Sequence, residues 1–141
     1  MSNSKKISEY TVKALASNFW DIVTSGSHGD SAKHLFLNPG ILLPSGKWID
    51  LEQHQEMHRR LKNESHEWID SKLAILGGDE RHFQFNGHVL WQATIIDSGE
   101  IVKAKIGETW IIELTDEMKL KWTLYWSSSC ELMPESAQFE A

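Results

Sequence analysis

A chain of 141 residues is one domain's worth of polypeptide, and by surface scaling it buries roughly two-thirds of its unfolded surface, enough for a core or an enclosed pocket. Hydrophobic residues at 40% and charged residues at 24% exclude a disordered chain, while a net charge of −6 argues against nucleic-acid binding, which needs a basic footprint. No apolar run approaches the ~18 residues of a bilayer span, the opening residues lead into no signal-peptide core, and the single cysteine, Cys130, permits no internal disulfide. The expectation is a cytoplasmic protein with neither membrane nor nucleic acid as partner. Seven tryptophans in so short a chain are the compositional anomaly.

In chain order, Ile7, Tyr10, Thr11, Ala14, Leu15, Asn18, Phe19 and Ile22 recur at helical spacing, which predicts an amphipathic first helix. Ser4 is its expected N-cap and Gly26 its C′ residue. A shorter helix follows from Asp30 through Ala32, Leu35 and Phe36, and Asn38-Pro39-Gly40 breaks it. Ile41–Leu43 and Lys47–Ile49 flank Pro44-Ser45-Gly46 as a small hairpin. Asp50 caps a third helix, expected over 51–62.

Beyond it the period changes from 3.6 to 2. The stretches 68–76, 81–96, 103–114 and 119–129 are predicted as long strands, separated by Gly77-Gly78-Asp79, Asp97-Ser98-Gly99-Glu100 and Thr115-Asp116-Glu117. Helices first and an antiparallel meander afterwards define an α+β fold with helices on one sheet face. A single domain is expected over 1–133, with 134–141 a loose tail.

Alternation assigns the inward residues. On the last strand these are Leu120, Trp122, Leu124 and Trp126, with Thr123 and Tyr125 outward. On the strand before, they are Ala104, Ile106, Glu108, Trp110, Ile112 and Leu114. Phe83, Phe85, Val89, Trp91, Ala93 and Ile95 point inward from the next strand, and Ile69, Ser71, Leu73 and Ile75 from the first.

Glu108 breaks the apolar pattern. A carboxylate there costs several kcal/mol unless it is paired, protonated or wet, so either a bulge or ion pair removes it from the core or it is a functional acid whose pKa is raised by the surrounding rings. Trp20, Trp91, Trp110, Trp122 and Trp126 form a tryptophan-rich interior. Two or three of these rings are expected to touch a ligand. His54 and His58, at i and i+4, face whatever their helix covers, and one near a pocket mouth is a general-base candidate. No third ligand is spaced for a metal, so neither a metal nor a cofactor is expected. Cys130 has no base or orienting group assigned by spacing, and a structural thiol is the simpler reading.

The order long helix, short helix, hairpin, helix, curved meander resembles the nuclear-transport-factor-2-like superfamily, which includes SnoaL-like polyketide cyclases and ketosteroid isomerase. The resemblance spans about 7–129. Its local carriers are Leu35-Phe36-Leu37-Asn38-Pro39 leading to Pro44-Ser45-Gly46-Lys47, and Leu120-Lys-Trp-Thr-Leu-Tyr-Trp-Ser-Ser-Ser. It implies a cone-shaped curved antiparallel sheet wrapped around N-terminal helices, related to the cystatin architecture, with a pocket between. It also implies a homodimer through the outer sheet face, where Tyr125, Thr123, His88 and Gln92 are expected.

Against the ketosteroid-isomerase pattern, the helix-one tyrosine falls near Phe19, the catalytic aspartate near Pro44 and the oxyanion-hole acid at Glu108. Trp126 stands where the family's last strand often carries histidine. The expected function is therefore a Trp-rich domain binding a small apolar or aromatic molecule. The alternatives are a proton-transfer enzyme of cyclase, isomerase or dehydratase type using Glu108 with His58 or His54, or a protein-interaction domain.

Overall fold

The structure, a computed structural model, describes residues 7–139; Ser4, the expected N-cap, lies outside them. Helix α1, Glu9–Thr24, starts from Ser8, whose hydroxyl accepts from the Thr11 N–H while Thr11 Oγ1 accepts from the Ser8 N–H. It ends at Ser25, and Gly26 follows at φ +77°, the left-handed C′ position expected of it. The buried stripe is Val12, Leu15, Ala16, Phe19 and Val23. The expected stripe shares only Leu15 and Phe19 with it; Tyr10 is 80% exposed, and Ala14 and Asn18 also face solvent. Both stripes have helical spacing, and packing selects the one that seats Phe19 and Val23 beneath the sheet.

A short 3-10 helix, Gly29–Leu35, buries Ala32 and Leu35 and hands Phe36 to the core. Strands β1, Ile41–Leu42, and β2, Trp48–Ile49, form the expected small hairpin. Helix α2, Leu51–His58, is capped by Asp50, whose carboxylate accepts from the Gln53 N–H. It is shorter than the expected 51–62. Strand β3, Leu61–Leu76, starts seven residues before the expected position, because its first half pairs with the end of β4, His82–Ile95, from Leu61↔Ile95 onward. Left unpaired, that stretch of β4 would expose its ladder groups.

Strands β5, Ile101–Leu114, and β6, Leu120–Leu132, complete a curved six-stranded sheet of order β2-β1-β6-β5-β4-β3. All pairings are antiparallel except β1 with β6, which is parallel at Leu42↔Trp126. The helices cover the concave face, giving the α+β architecture read from the sequence. No helix among the described residues is long and apolar enough to cross a membrane.

Bulges correct the alternation in two strands. In β6, Thr123 is the extra residue between Trp122↔Ile112 and Leu124↔Ile111, and Ser128 between Ser127↔Glu108 and Ser129↔Gly107. Each extra residue reverses the phase of the strand beyond it. Tyr125 therefore turns inward and is buried, while Leu124 and Trp126 turn outward, contrary to expectation; Tyr125 also leaves the outer face on which a partner was expected. In β3, Ile69 is the extra residue between Trp68↔Val89 and Asp70↔His88, so Trp68 joins Ser71 and Leu73 on the inner side and Ile69 is 51% exposed. Ile75 keeps its register opposite Phe83 but stands beyond the helix layer and is 54% exposed. The segment 134–139 is held rather than loose: Ala137 N–H donates to the Ile101 carbonyl, Ser136 Oγ accepts from the Lys103 N–H, and Phe139 packs on Trp91.

Gly29 welds the 3-10 helix to α2. Its N–H donates to Glu52 Oε1 at 2.9 Å, and a Cβ built on it would lie 2.4 Å from the Leu51 carbonyl oxygen. Gly29→Ala must therefore push two backbones apart and is expected to cost about 1–3 kcal/mol, as overpacking does. Urea denaturation of wild type and variant measures it, and an unchanged midpoint would contradict the close approach.

Candidate functional site

The interior holds two apolar clusters. The larger, toward α1, stacks Phe85 on Trp110 at 5.2 Å and sets Phe19, Phe36, Trp122 and Tyr125 edge-on or tilted around them. The smaller comprises Leu61, Trp91, Ala93, Val102 and Ala104, with Ile106, Cys130 and Phe139 packed against it. A cavity of about 80 Å³ is bordered by residues of both clusters: Val23, Ile41 and Tyr125 from one, Trp91, Ile106, Cys130 and Phe139 from the other. Polar side chains complete its wall.

Glu108 enters this wall from β5 and is 5% exposed. The bulged β6 brings Ser127 Oγ to 2.9 Å from its Oε1 and Tyr125 Oη to 3.3 Å from its Oε2, and Trp20 Nε1 donates to Tyr125 Oη at 3.1 Å. Burial pushes its pKa up to about 8, against the lowering effect of the Ser127, Tyr125 and Trp110 donors. Trp110 Nε1 makes no hydrogen bond of ordinary geometry, so its effect on Glu108 is that of a nearby dipole. At neutral pH Glu108 is mostly a carboxylic acid. The same burial, reinforced by Glu108, lifts the Tyr125 phenol well above its usual range.

Histidines form the other polar side. His54 stacks on Phe19 at 5.5 Å, and burial, then the charge of His58, holds its pKa well below the ordinary value. His58 Nε2 lies 3.1 Å from His54 Nε2, and its Nδ1 lies 2.8 Å from Glu64 Oε1. Glu64 also accepts from Trp91 Nε1 at 3.0 Å. Burial pushes the Glu64 carboxyl up, but the His58 hydrogen bond and charge and the Trp91 N–H outweigh it, leaving the group below the usual carboxylate range. His66 lies flat on Trp20, ring centres 3.9 Å apart, and burial lowers its pKa to about 4. Among the described residues no group of three or more His, Cys, Asp or Glu side chains is arranged to hold a metal ion.

The structure brings together Glu108, His54, His58, Trp20 and Trp91 around one cavity. Trp110 and Trp122 are fully buried in the larger cluster and do not border it, and Trp126 is on the opposite sheet face. Cys130 borders the cavity with its thiol pushed up by burial, which keeps it a thiol rather than a nucleophilic thiolate. Sequence reasoning missed Glu64, His66, Tyr125 and Ser127. The first two alternate with Trp68 on one side of β3, a signal available once the strand is extended to Leu61, though polar inward residues give hydrophobic patterning nothing to detect.

These shifts fix the pH profile of stability. A folded pKa near 8 for Glu108 means its proton favours the folded state: the contribution is full below the unfolded value near 4.5 and is lost as pH rises to about 8. The depressed His54 and His66 act oppositely, favouring folding as pH rises from about 4 to their unfolded value near 6.5. Stability should therefore peak near pH 6.5 and fall toward pH 8. Glu108→Gln should abolish the upper decline, worth on the order of 1 kcal/mol per pH unit. Urea titrations from pH 5 to 9 measure this; a variant that keeps the decline would show Glu108 to be ionised throughout.

No protein-family model matches the chain, and no curated protein matches its sequence. Solved structures do match. A protein of Novosphingobium aromaticivorans provisionally named a scytalone dehydratase superposes with a TM-score of 0.72 at 9% identity, over 92% of this chain and 87% of its own. An NTF2-like protein of Cytophaga hutchinsonii gives 0.63 at 8% identity, over 91% and 100%. A second N. aromaticivorans protein, provisionally named an aromatic ring hydroxylase, gives 0.63 at 16% identity, over 87% of each chain. Identities this low speak for architecture alone, and with the helix-covered curved sheet and its cavity they agree on one conclusion: the chain has the fold of the nuclear-transport-factor-2-like superfamily.

Proposed function

We propose that the cavity binds a small, uncharged, apolar or aromatic molecule that offers an oxygen acceptor to Glu108. The observation that carries this is a neutral carboxylic acid set among Trp20, Trp91, Ile106 and Tyr125, where its proton is available to a ligand in a site poor in water. A neutral acid donates a hydrogen bond that an ionised one cannot. The neighbouring folds provisionally named for a dehydratase and for an aromatic ring hydroxylase fit a pocket for ring-bearing molecules.

Size limits the reading usefully. A dry cavity of about 150 Å³ admits benzene, so 80 Å³ admits a ring only if a wall yields. The sheet walls are held by ladders on both sides. Phe139 is held only by packing on Trp91 and by Arg60 above its ring at 5.7 Å, so it is the wall that yields.

A second reading, proton transfer on the bound molecule, is favoured by the neutral imidazoles that share the cavity with Glu108. An acid and a base at one ligand are the requirement for general acid–base chemistry. Glu108→Gln separates the two: as a binding group its loss weakens affinity, whereas as a proton donor its loss removes turnover at saturating ligand.

Acetophenone, with one ring and one carbonyl, is a suitable probe. Thermal melts should show wild type stabilised by millimolar acetophenone, Phe139→Ala stabilised by a larger increment, and Glu108→Leu not stabilised. Equal response in all three, or none in any, would set the cavity-binding reading aside.

A further inference from the structure

Glu64, His58 and His54 form a chain whose protons can be placed. Glu64 is ionised and therefore only accepts, so the proton between it and His58 sits on His58 Nδ1. A singly protonated His58 then has a bare Nε2. The contact of 3.1 Å to His54 Nε2 needs one proton, which must come from His54. With Nε2–H committed, His54 Nδ1 carries a lone pair. That atom makes no hydrogen bond to any described residue, and the ring is part of the cavity wall. Packing against Phe19 and the fixed bond to His58 hold the ring in place.

The opposite polarity holds at Glu108. Its carboxyl is met by Ser127 and Tyr125 hydroxyls, and Tyr125 is in turn held by the Trp20 N–H. We propose that the cavity is polarised, with the Glu108 acid as its donor wall and His54 Nδ1, oriented by His58 and Glu64, as its acceptor wall, so that it selects uncharged ring molecules bearing both a carbonyl-type oxygen and a separate hydroxyl. This rests on the cavity-binding reading for its ligand, but the proton placement stands by itself. Glu64 is a positioning residue: it touches His58 and Trp91, and acts on the ligand only through His54.

Two measurements test it. Long-range proton–nitrogen NMR spectra of the wild-type protein at pH 7.5 should show His58 protonated at Nδ1 and His54 at Nε2. A His54 carrying its proton on Nδ1, or a doubly protonated His58, reverses the chain and overturns the proposal whatever binds. Calorimetric titration then compares acetophenone, ethylphenol and meta-hydroxyacetophenone. The bifunctional probe should bind about five- to tenfold tighter than acetophenone, the gain of one added hydrogen bond. His54→Phe, which keeps a ring on Phe19, should erase that advantage while leaving acetophenone affinity unchanged. No gain from the hydroxyl, or an equal loss for every probe in His54→Phe, overturns the acceptor wall. If no probe binds the wild type, the cavity-binding reading fails instead, and the spectra still decide the proton placement.

Discussion

Glu108 lies on the inner side of β5 between Ile106 and Trp110, where a carboxyl group must be neutral or be met by polar partners. The fold does both. Hydroxyls of Ser127 and Tyr125 reach it, and its pKa rises until the proton stays on. Once that group is fixed, the surroundings divide: one apolar cluster grows toward α1, another toward Phe139, and the cavity is bordered by both together with the polar side chains. The site is the seam between two cores.

The seam depends on the two bulges of β6. A regular strand would continue the phase of Trp122 and place Leu124 and Trp126 on the inner side, leaving Glu108 with no hydroxyl partner from β6. The extra residue at Thr123 turns Tyr125 and Ser127 inward instead. The second, at Ser128, returns Cys130 and Leu132 to the smaller cluster. Ser129 then lies above Gly107, where a Cβ would sit 2.3 Å from its hydroxyl oxygen, so the absence of a side chain at Gly107 is part of the same arrangement.

How much of this was legible in the sequence depends on how local each signal is. Turn chemistry and alternation place the strands and the inward residues of β4 and β5, because those strands pair without an inserted residue. Glu108 is found the same way, as an acid in an apolar register. Trp126 and Tyr125 exchange sides because a bulge in Thr-Leu-Tyr-Trp leaves no compositional mark: every residue there is apolar or amphipathic. Glu64 and His66 are hidden for the opposite reason, being polar residues on an inward register that a hydrophobic pattern cannot flag. His54 and His58 are legible as a facing pair, but their link to Glu64 spans the turn between α2 and β3, which was expected to be helix.

The charge balance of the seam also limits what can enter. Near neutrality Glu108 carries its proton and His54 and His66 lack theirs, so the cavity presents dipoles; the ionised Glu64 is spent on His58 and Trp91. Ionising Glu108 at pH 7 costs only about 1.4 kcal/mol, one unit below its pKa, so the protein's own proton does not exclude a cationic ligand. The ligand's desolvation does. Apolar clusters on both sides offer little to replace the water around a charge, a cost of several kcal/mol that one carboxylate at the edge of an aromatic core does not recover. An uncharged molecule with polar groups at its edges loses far less, and it meets groups already oriented before it arrives.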